Sequence, residues 1–293
     1  MIRLHRSPLW LVLFLAPAIV LTIAFFYYPM GYIVWLSVHH WNGLSPQKPF
    51  AGMAEYRHLF QEPIFGLVLR NTLEFVFGTT IPGIVLGLSL AALANTRLPL
   101  RNLLRSISFA PYLVSFVSAG LAWVWLASSK GLFNQLVGLA GFHPGNLLNQ
   151  PSLALPYVIV MYVWKMAGYN MVIYLAGLQT ISRELYEAAA LDGLSEGWTR
   201  FRSITWPLLR ETTFFVVIIN LIFSFRAFSA IYVMTGGGPV HATTTLVYYI
   251  WRLAFVHDNW GQAAAASTLM LVVVLIITGA MLRMFATAPD QKA

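Results

Sequence analysis

Long apolar runs dominate the pattern of hydrophobic and polar positions, and short segments that carry most of the charge separate them. The six runs span residues 9–28, 72–94, 107–127, 153–178, 212–234 and 263–281. A helix of roughly 20 apolar residues crosses the hydrocarbon core of a bilayer. Because lipid offers no water to backbone N–H and C=O groups, a spanning segment must satisfy them internally, as a helix does. The pattern therefore predicts an all-α membrane protein with six transmembrane helices, in one domain over residues 1–293.

Composition excludes an ordinary soluble enzyme. Hydrophobic residues make up 58% of the chain and charged residues only 10%, whereas soluble domains average roughly 45–50% and 25%. The sequence contains no cysteine, which excludes disulfides, thiolate nucleophiles and cysteine metal sites. It also contains no glycine-rich phosphate-binding loop ending in Gly-Lys-Ser/Thr and no His-Glu-x-x-His pair. We therefore predict that the chain is not an enzyme and binds no metal or other cofactor itself.

The net charge of +8 indicates topology and not a nucleic-acid partner, because the basic residues lie in short segments between the apolar runs. Of the 18 lysine and arginine residues, eleven lie on one side of the six spans and five on the other. The positive-inside rule places the richer side, with both termini, in the cytoplasm. Arg3 and Arg6 also fit the start of a cleaved signal peptide. No small-residue cleavage site follows the first run, so we predict an uncleaved first span.

Glu74 is the one acidic residue within an apolar run, and it raises the alternative of a self-contained secondary transporter of a small polar solute. Such a carrier needs internal repeats and ion-coupling residues inside the membrane. The sequence has no convincing repeat, and one acid does not form a proton relay. We interpret Glu74 as an interfacial residue near Arg70.

The longest segment on the predicted cytoplasmic side, residues 182–207, has the pattern of two short helices joined by a turn. Ser182 suits a helix N-cap, and Glu184 suits the positive end of the helix dipole. Gly193 suits a left-handed C-terminal cap. Small residues at helical spacing leave room for another surface to approach. On these grounds alone, a docking helix and an amphipathic connector packed on the membrane or on its own bundle fit equally well.

The residue types in this segment resemble the EAA motif of ATP-binding-cassette importer permeases. The matching residues are Glu187, Ala188, Ala189, Asp192, Gly193, Ile204 and Pro207. In that family the motif forms a coupling helix that docks into a cleft on the ATP-hydrolysing subunit. The chain departs from the usual pattern at Ser182, Leu194 and Trp206, which the family often fills with proline, alanine and leucine. The resemblance implies that this segment couples the chain to an ATPase.

The likeness extends over nearly the whole chain and is strongest to the carbohydrate-uptake branch, through residues 235–239 and the threonines at 243–245. Within that branch the chain resembles the first of two permease subunits of the maltose and glycerol-3-phosphate type. The resemblance implies the type I importer permease fold, in the cytoplasmic membrane of a prokaryote, and import of a sugar or polyol phosphate by alternating access. The implied partners are a second homologous permease, two ATP-binding-cassette subunits that bind ATP and Mg²⁺, an external solute-binding protein and membrane lipid.

Charged residues inside the runs mark a candidate solute path, because a charge at a helix centre costs on the order of 2.5–3.5 kcal/mol on insertion scales. Lys165 lies near the middle of the fourth run, and Arg226 lies in the outer half of the fifth. With Tyr169 and Asn170, they are expected to border the translocation path, where hydroxyls and amides bind polyol hydroxyls and cations bind phosphate. The alternative is that the two cations satisfy backbone carbonyls or brace the partner permease.

The predicted outer loop after the fifth run is rich in glycine, with Gly236, Gly237 and Gly238 followed by Pro239. Glycine permits backbone conformations that other residues resist. We expect this loop to contact the binding protein or to help close the path. A sharp turn with no further role is the equally weighted alternative.

Overall fold

The computed structural model describes residues 8–96, 100–139, 141, 145–192, 194 and 197–286. In this part of the chain, β structure is limited to an isolated bridge between His39 and Phe50. Two π-helical turns, Ile23–Tyr27 and Phe201–Thr205, and one 3-10 turn, Leu147–Asn149, interrupt or precede helices. The α-helices are α1 (Pro8–Thr22), α2 (Tyr28–Leu36), α3 (Ala54–Gln61), α4 (Pro63–Asn95), α5 (Arg101–Leu113), α6 (Phe116–Ala127), α7 (Leu132–Gly138), α8 (Pro151–Thr180), α9 (Arg183–Leu191), α10 (Trp198–Arg200), α11 (Trp206–Leu208), α12 (Arg210–Phe225), α13 (Phe228–Met234), α14 (Leu246–Phe255) and α15 (Trp260–Ala286).

Five helical stretches of the described residues are long and apolar enough to span a membrane. They are Phe14–Leu36, Pro63–Asn95, Phe116–Gly138, Pro151–Thr180 and Trp260–Arg283. A sixth is present if Trp198–Leu208 and Arg210–Phe225, which are bent by 70° at their junction, count as one span. We call Trp198–Leu208 the elbow segment. The prediction of an all-α membrane protein is confirmed, and the orientation of the termini stays a prediction.

Two of the predicted continuous helices are interrupted. Residues 107–127 divide where Val114 and Ser115 are extended, and the Ser115 hydroxyl caps α6 by accepting a bond from the N–H of Ser118 at 3.1 Å. Pro111 precedes this break and has no N–H for the helix ladder. Residues 212–234 divide at Arg226 and Ala227, between α12 and α13. Both interruptions lie within long runs of high mean hydropathy, so hydropathy alone does not mark them.

The chain forms two compact units, of which one contains the described residues of Met1–Phe65 and Ile250–Ala293. In this unit α15 packs against α2 and α3. The Gly261 N–H donates to the Trp41 carbonyl at 3.1 Å, which joins the start of α15 to the loop before α3. Glu55 is buried and contacts Nδ1 of His40 at 2.8 Å.

The other unit, Gly66–Tyr249, is built around α8. In the most apolar 18-residue stretch of this helix, 67% of the residues are buried. Helices α5, α12 and α13 pack on it. A Cβ on Gly168 of α8 would collide with the Ser108 carbonyl, so only glycine permits this approach to α5. Towards the end of α8, a fully buried cluster ties α4, α8 and α12 together and includes Met171, Tyr174, Leu209 and Val216. The compact unit that carries the candidate site is therefore centred on α8.

Candidate functional site

The candidate coupling segment begins with α9, which presents most of its surface outward. Ser182 occupies the N-cap position as predicted, although its side chain makes no capping hydrogen bond. Ala189 is buried, whereas Glu187, Ala188 and Asp192 are exposed. Leu191, at the end of α9, is 90% exposed. Gly193, which sequence analysis assigned to the cap, lies outside the described residues. The helix thus offers exposed small, acidic and apolar side chains that no other described part of the chain covers.

Helix α9 is attached to the elbow segment by side chains that sequence analysis did not assign. The Tyr186 hydroxyl and Thr205 Oγ1 form a hydrogen bond of 3.1 Å, and the Arg200 guanidinium lies 5.2 Å from the centre of the Tyr186 ring. Thr205 is buried, and Ile204 beside it is half-buried. The sequence signal for this contact is a tyrosine on the inner face of the motif helix, three and four residues after polar neighbours. These two contacts attach α9 to the elbow segment.

The elbow segment leads into α12 through a buried junction. Pro207 lies in α11 and is exposed, whereas Leu209, two residues later, is fully buried in the cluster on α8. A Cβ on Gly177 of α8 would meet the Thr212 side chain of α12 and lie 3.1 Å from Cδ2 of Leu209. Close packing of this kind transmits displacement, because protein interiors have few voids. The junction between the elbow segment and α12 is therefore packed tightly against α8.

A cavity of about 330 Å³ lies where α5, α6, α12 and α13 meet α8. Aromatic rings supply most of its wall, and Arg226 is the charged residue among its lining side chains. The principal lining residues are Tyr112, Phe116, Tyr162, Phe223, Arg226 and Phe228. Both helix interruptions open on this cavity, since Tyr112 and Phe116 flank one and Phe223 and Phe228 flank the other. Such breaks in spanning helices are tolerated where backbone is buried in protein or lines a cavity.

Arg226 lies at the end of α12 with an exposed side chain. Its guanidinium makes no hydrogen bond or ion pair with the described residues. Tyr169 is half-buried and touches two walls of the cavity, because its ring stacks on Tyr112 at 4.8 Å between centroids and lies 6.1 Å from Phe223. Of the four residues that sequence analysis placed on the path, Arg226 therefore lines the cavity, and Tyr169 contacts two of the lining residues.

Lys165 is only 2% exposed and serves the interruption between α5 and α6. Its ammonium donates to the carbonyls of Pro111 at 2.9 Å and Tyr112 at 3.3 Å, and also to the Val114 carbonyl. It lies 4.7 Å from the centre of the Phe116 ring. These carbonyls are the ones that the end of α5 leaves without helical partners. Lys165 thus fits the alternative interpretation, in which the cation satisfies backbone carbonyls. Its ammonium lies against the Phe116 ring, which is part of the cavity wall.

Asn170 is fully buried and holds three helices together. Its Nδ2 donates to the Gly83 carbonyl of α4 and to Oδ1 of Asn220 on α12, both at 3.1 Å. Asn220 Nδ2 returns a bond to Oδ1 of Asn170 at 2.9 Å. Asn220 was missed by sequence analysis, although an uncharged amide inside an apolar run signals an interhelical hydrogen bond.

In the predicted outer loop, hydroxyl side chains donate hydrogen bonds to the glycine carbonyls. Tyr248 donates to Gly236 at 2.9 Å, Thr244 to Gly237 at 2.9 Å and Thr243 to Gly238 at 2.8 Å. The chain then passes Pro239 and reaches Val240, which is 82% exposed and has a φ of 47°. A β-branched residue in this conformation is strained and persists only where its surroundings fix it. The loop therefore holds an exposed apolar tip in a set position.

Replacing Gly237 with alanine should destabilise this loop more than replacing Gly236. Both glycines have positive φ, 79° and 56°, which costs about 1–2 kcal/mol for alanine. At Gly237 the new Cβ would also lie 2.5 Å from Cε1 of Tyr248, whereas at Gly236 the nearest such atom is 3.9 Å away. Overpacking adds about 1–3 kcal/mol. Thermal melting of the two purified variants should give the lower midpoint for Gly237→Ala, and equal midpoints would contradict the packing described.

Metal-binding geometry is not found within the described ranges, where no group of three or more histidine or acidic side chains could hold an ion. The side chains at the cavity instead offer rings, hydroxyls and one guanidinium. Groups of these kinds can donate and accept hydrogen bonds and pack on apolar surfaces.

Comparison with known proteins identifies the family. Residues 83–289 match the model described as the binding-protein-dependent transport system inner membrane component. The sn-glycerol-3-phosphate transport system permease protein UgpA of Rhizobium meliloti is 35% identical over 268 residues, covering 91% of each chain. The trehalose/maltose transport system permease protein MalF of Thermococcus litoralis is 36% identical over 270 residues, covering 91% of this chain and 90% of the relative.

A solved structure agrees with the fold. It is that of a bacterial alginate ABC transporter in complex with an alginate pentasaccharide-bound periplasmic protein, and one of its chains matches with a TM-score of 0.82 and 26% identity. The match covers 94% of this chain and 93% of that one. The predicted family and the permease fold are confirmed by these comparisons.

Proposed function

The chain belongs to the binding-protein-dependent transport system inner membrane components, and from this premise we propose that it is one of two permease subunits of an ATP-driven importer for a sugar or polyol phosphate. Membership in a family that depends on a binding protein speaks against a self-contained secondary transporter. The named relatives carry glycerol 3-phosphate and trehalose or maltose, which supports a polyhydroxylated solute and leaves sn-glycerol 3-phosphate as one candidate.

The observation that carries the proposal is the continuous connection between an exposed helix and the cavity. Helix α9 is hydrogen-bonded to the elbow segment through Tyr186 and Thr205. Buried Leu209 follows the elbow segment, and α12 then runs to Arg226 at the cavity. Closure of two partner ATPase subunits on ATP and Mg²⁺ would move α9 and, through these contacts, α12. This chain transmits the motion and lines the path, and it performs no hydrolysis.

The partners of the proposed complex are a second homologous permease, two ATP-binding-cassette subunits and a solute-binding protein. The segment that contains Glu187, Ala188, Ala189, Asp192 and Gly193 is the proposed contact with an ATPase subunit, made through the exposed side chains of Glu187, Ala188 and Asp192. The loop of residues 236–239 and the exposed Val240 tip form the proposed contact with the binding protein. The complex lies in the cytoplasmic membrane of a prokaryote, with both termini of this chain inside.

Solute recognition would rest on the aromatic walls and on Arg226. Aromatic faces pack on the apolar C–H surfaces of sugars, and a guanidinium donates to hydroxyl or phosphate oxygens in a fork geometry. Lys165 is committed to backbone carbonyls, so Arg226 is the cation in the cavity wall with donors to spare. Tyr169 positions the wall residues Tyr112 and Phe223, whereas Asn170 keeps the helices around the cavity in register.

Replacing Arg226 with glutamine should lower solute uptake into vesicles by about tenfold, because hydrogen bonds to a charged group contribute about 1.5–3 kcal/mol. ATPase activity stimulated by the binding protein should persist, since the coupling contacts are intact. Arg226→Lys should restore part of the uptake. Arg57→Gln, on the exposed face of α3, is the matched control and should transport normally. Wild-type uptake in Arg226→Gln would remove Arg226 from the path.

A further inference from the structure

A second cavity, of about 550 Å³, lies between α4 and the elbow segment. The wall on α4 is aliphatic and includes Val85 and Leu88. The wall on the elbow segment is aromatic and basic, with Trp198, Trp206 and Arg202. The proposed coupling and transport do not use this cavity, and none of the residues assigned to the solute path lines it.

The orientation of the elbow segment places this cavity at the membrane surface. The segment is bent by 70° from α12, so it runs close to the membrane plane when α12 crosses the bilayer. Trp198 is 73% exposed and Trp206 43% exposed. Tryptophan collects at the headgroup level of membranes, and helices that lie in this plane combine basic and aromatic residues. The elbow segment has both of these features.

Arg202 supplies a cation with no partner in the described part of the chain. Its side chain is exposed and forms no hydrogen bond or ion pair there, yet it borders an otherwise apolar wall. By contrast, the neighbouring Arg200 lies over the Tyr186 ring. A guanidinium at the rim of an apolar cavity is complementary to a molecule with an anionic head and an apolar tail.

We propose that this cavity binds an anionic phospholipid, with its phosphate on Arg202 and part of an acyl chain between Leu88 of α4 and the rings of the elbow segment. Trp198 stacks on Phe201 at 5.3 Å between centroids, so the aromatic wall is already ordered to receive the chain. Because the elbow segment joins α9 to α12, the bound lipid braces it against α4. Lipid binding would therefore change how much of a movement of α9 is transmitted to α12.

Native mass spectrometry of the full chain, titrated with palmitoyl-oleoyl phosphatidylglycerol or phosphatidylcholine, tests this site. The wild type should retain one phosphatidylglycerol about fivefold more tightly than phosphatidylcholine, as expected for one cation near a headgroup. Arg202→Gln should abolish the preference while binding of phosphatidylcholine, which depends on the apolar wall, persists. The matched control Arg101→Gln, an exposed residue at the start of α5, should keep the preference.

Leu88→Trp keeps Arg202 in the chain, should fill part of the cavity, and should lower retention of both lipids at this site. Full preference for phosphatidylglycerol in Arg202→Gln, or unchanged retention in Leu88→Trp, would overturn the proposal. A photoreactive side chain in place of Trp198 distinguishes a lipid from a protein at this surface. We expect it to label lipid. Exclusive labelling of an ATPase subunit would assign this surface to a protein contact and would also overturn the lipid site, leaving the proposed transport function intact.

Discussion

Replacing Ala188 with arginine should uncouple the importer, with solute uptake reduced at least tenfold. Ala188 is exposed on α9, so the larger side chain fits the isolated chain without disturbing its packing. At the proposed interface with the ATPase, the guanidinium would be buried without a partner, which costs about 2–5 kcal/mol. Each 1.4 kcal/mol corresponds to about tenfold in an equilibrium constant. Uptake into proteoliposomes, with ATPase activity in the same sample, measures the effect.

The matched control is Ala190→Arg, the same substitution two residues along α9. Ala190 is also exposed, and residues two apart point to different sides of a helix. We expect Ala190→Arg to keep most of the uptake. Equal loss in both variants would indicate a general disturbance of α9, and normal uptake in Ala188→Arg would contradict docking through this face.

Replacing Lys165 with methionine should destabilise the protein by roughly 2–5 kcal/mol, because buried carbonyls left without a donor cost about 1–3 kcal/mol each. Lys165 is the donor to the Pro111, Tyr112 and Val114 carbonyls at the interruption between α5 and α6. Methionine is easier to insert into a membrane than lysine, so any loss reflects the missing contacts of the ammonium with the carbonyls and with the Phe116 ring. In detergent, the melting midpoint should fall by roughly 5–15 °C.

Lys130→Met provides the control for this measurement. Lys130 is exposed, and its side chain has no hydrogen bond with the described residues, so the same substitution should leave the midpoint within about 2 °C of the wild type. A Lys165→Met protein that melts like the wild type would show that water or another donor already serves these carbonyls.

The architecture was predictable because its causes lie in local sequence. Each apolar run is long enough to cross a bilayer, and lipid forces such a run into a helix. The coupling segment was predictable for a different reason, since Glu187, Ala188 and Ala189 stand at spacings that resemble a known motif. Ser182 and α9 lie where that resemblance places them.

The interior of the site depends on contacts between residues that are distant in sequence, so it was harder to predict. Hydropathy averages over a window, so the breaks at Ser115 and Arg226 disappear within apolar runs. The role of Lys165 follows from the carbonyls that a broken α5 releases, and these are invisible until the break is known. Likewise, Asn170 was assigned to the path as an isolated amide, whereas the structure pairs it with Asn220, 50 residues away.

Cross-linking of α9 to an ATPase subunit tests the central claim most directly. The chain contains no cysteine, so Ala188→Cys creates a thiol that is unique within this chain. In inside-out vesicles that contain the complete importer, a short bifunctional reagent should link Cys at 188 to the ATP-hydrolysing subunit, whereas Val240→Cys in the outer loop should not link to it. Labelling of the thiol at 188 by a membrane-impermeant maleimide from the outside of intact cells, with no ATPase cross-link, would contradict the account.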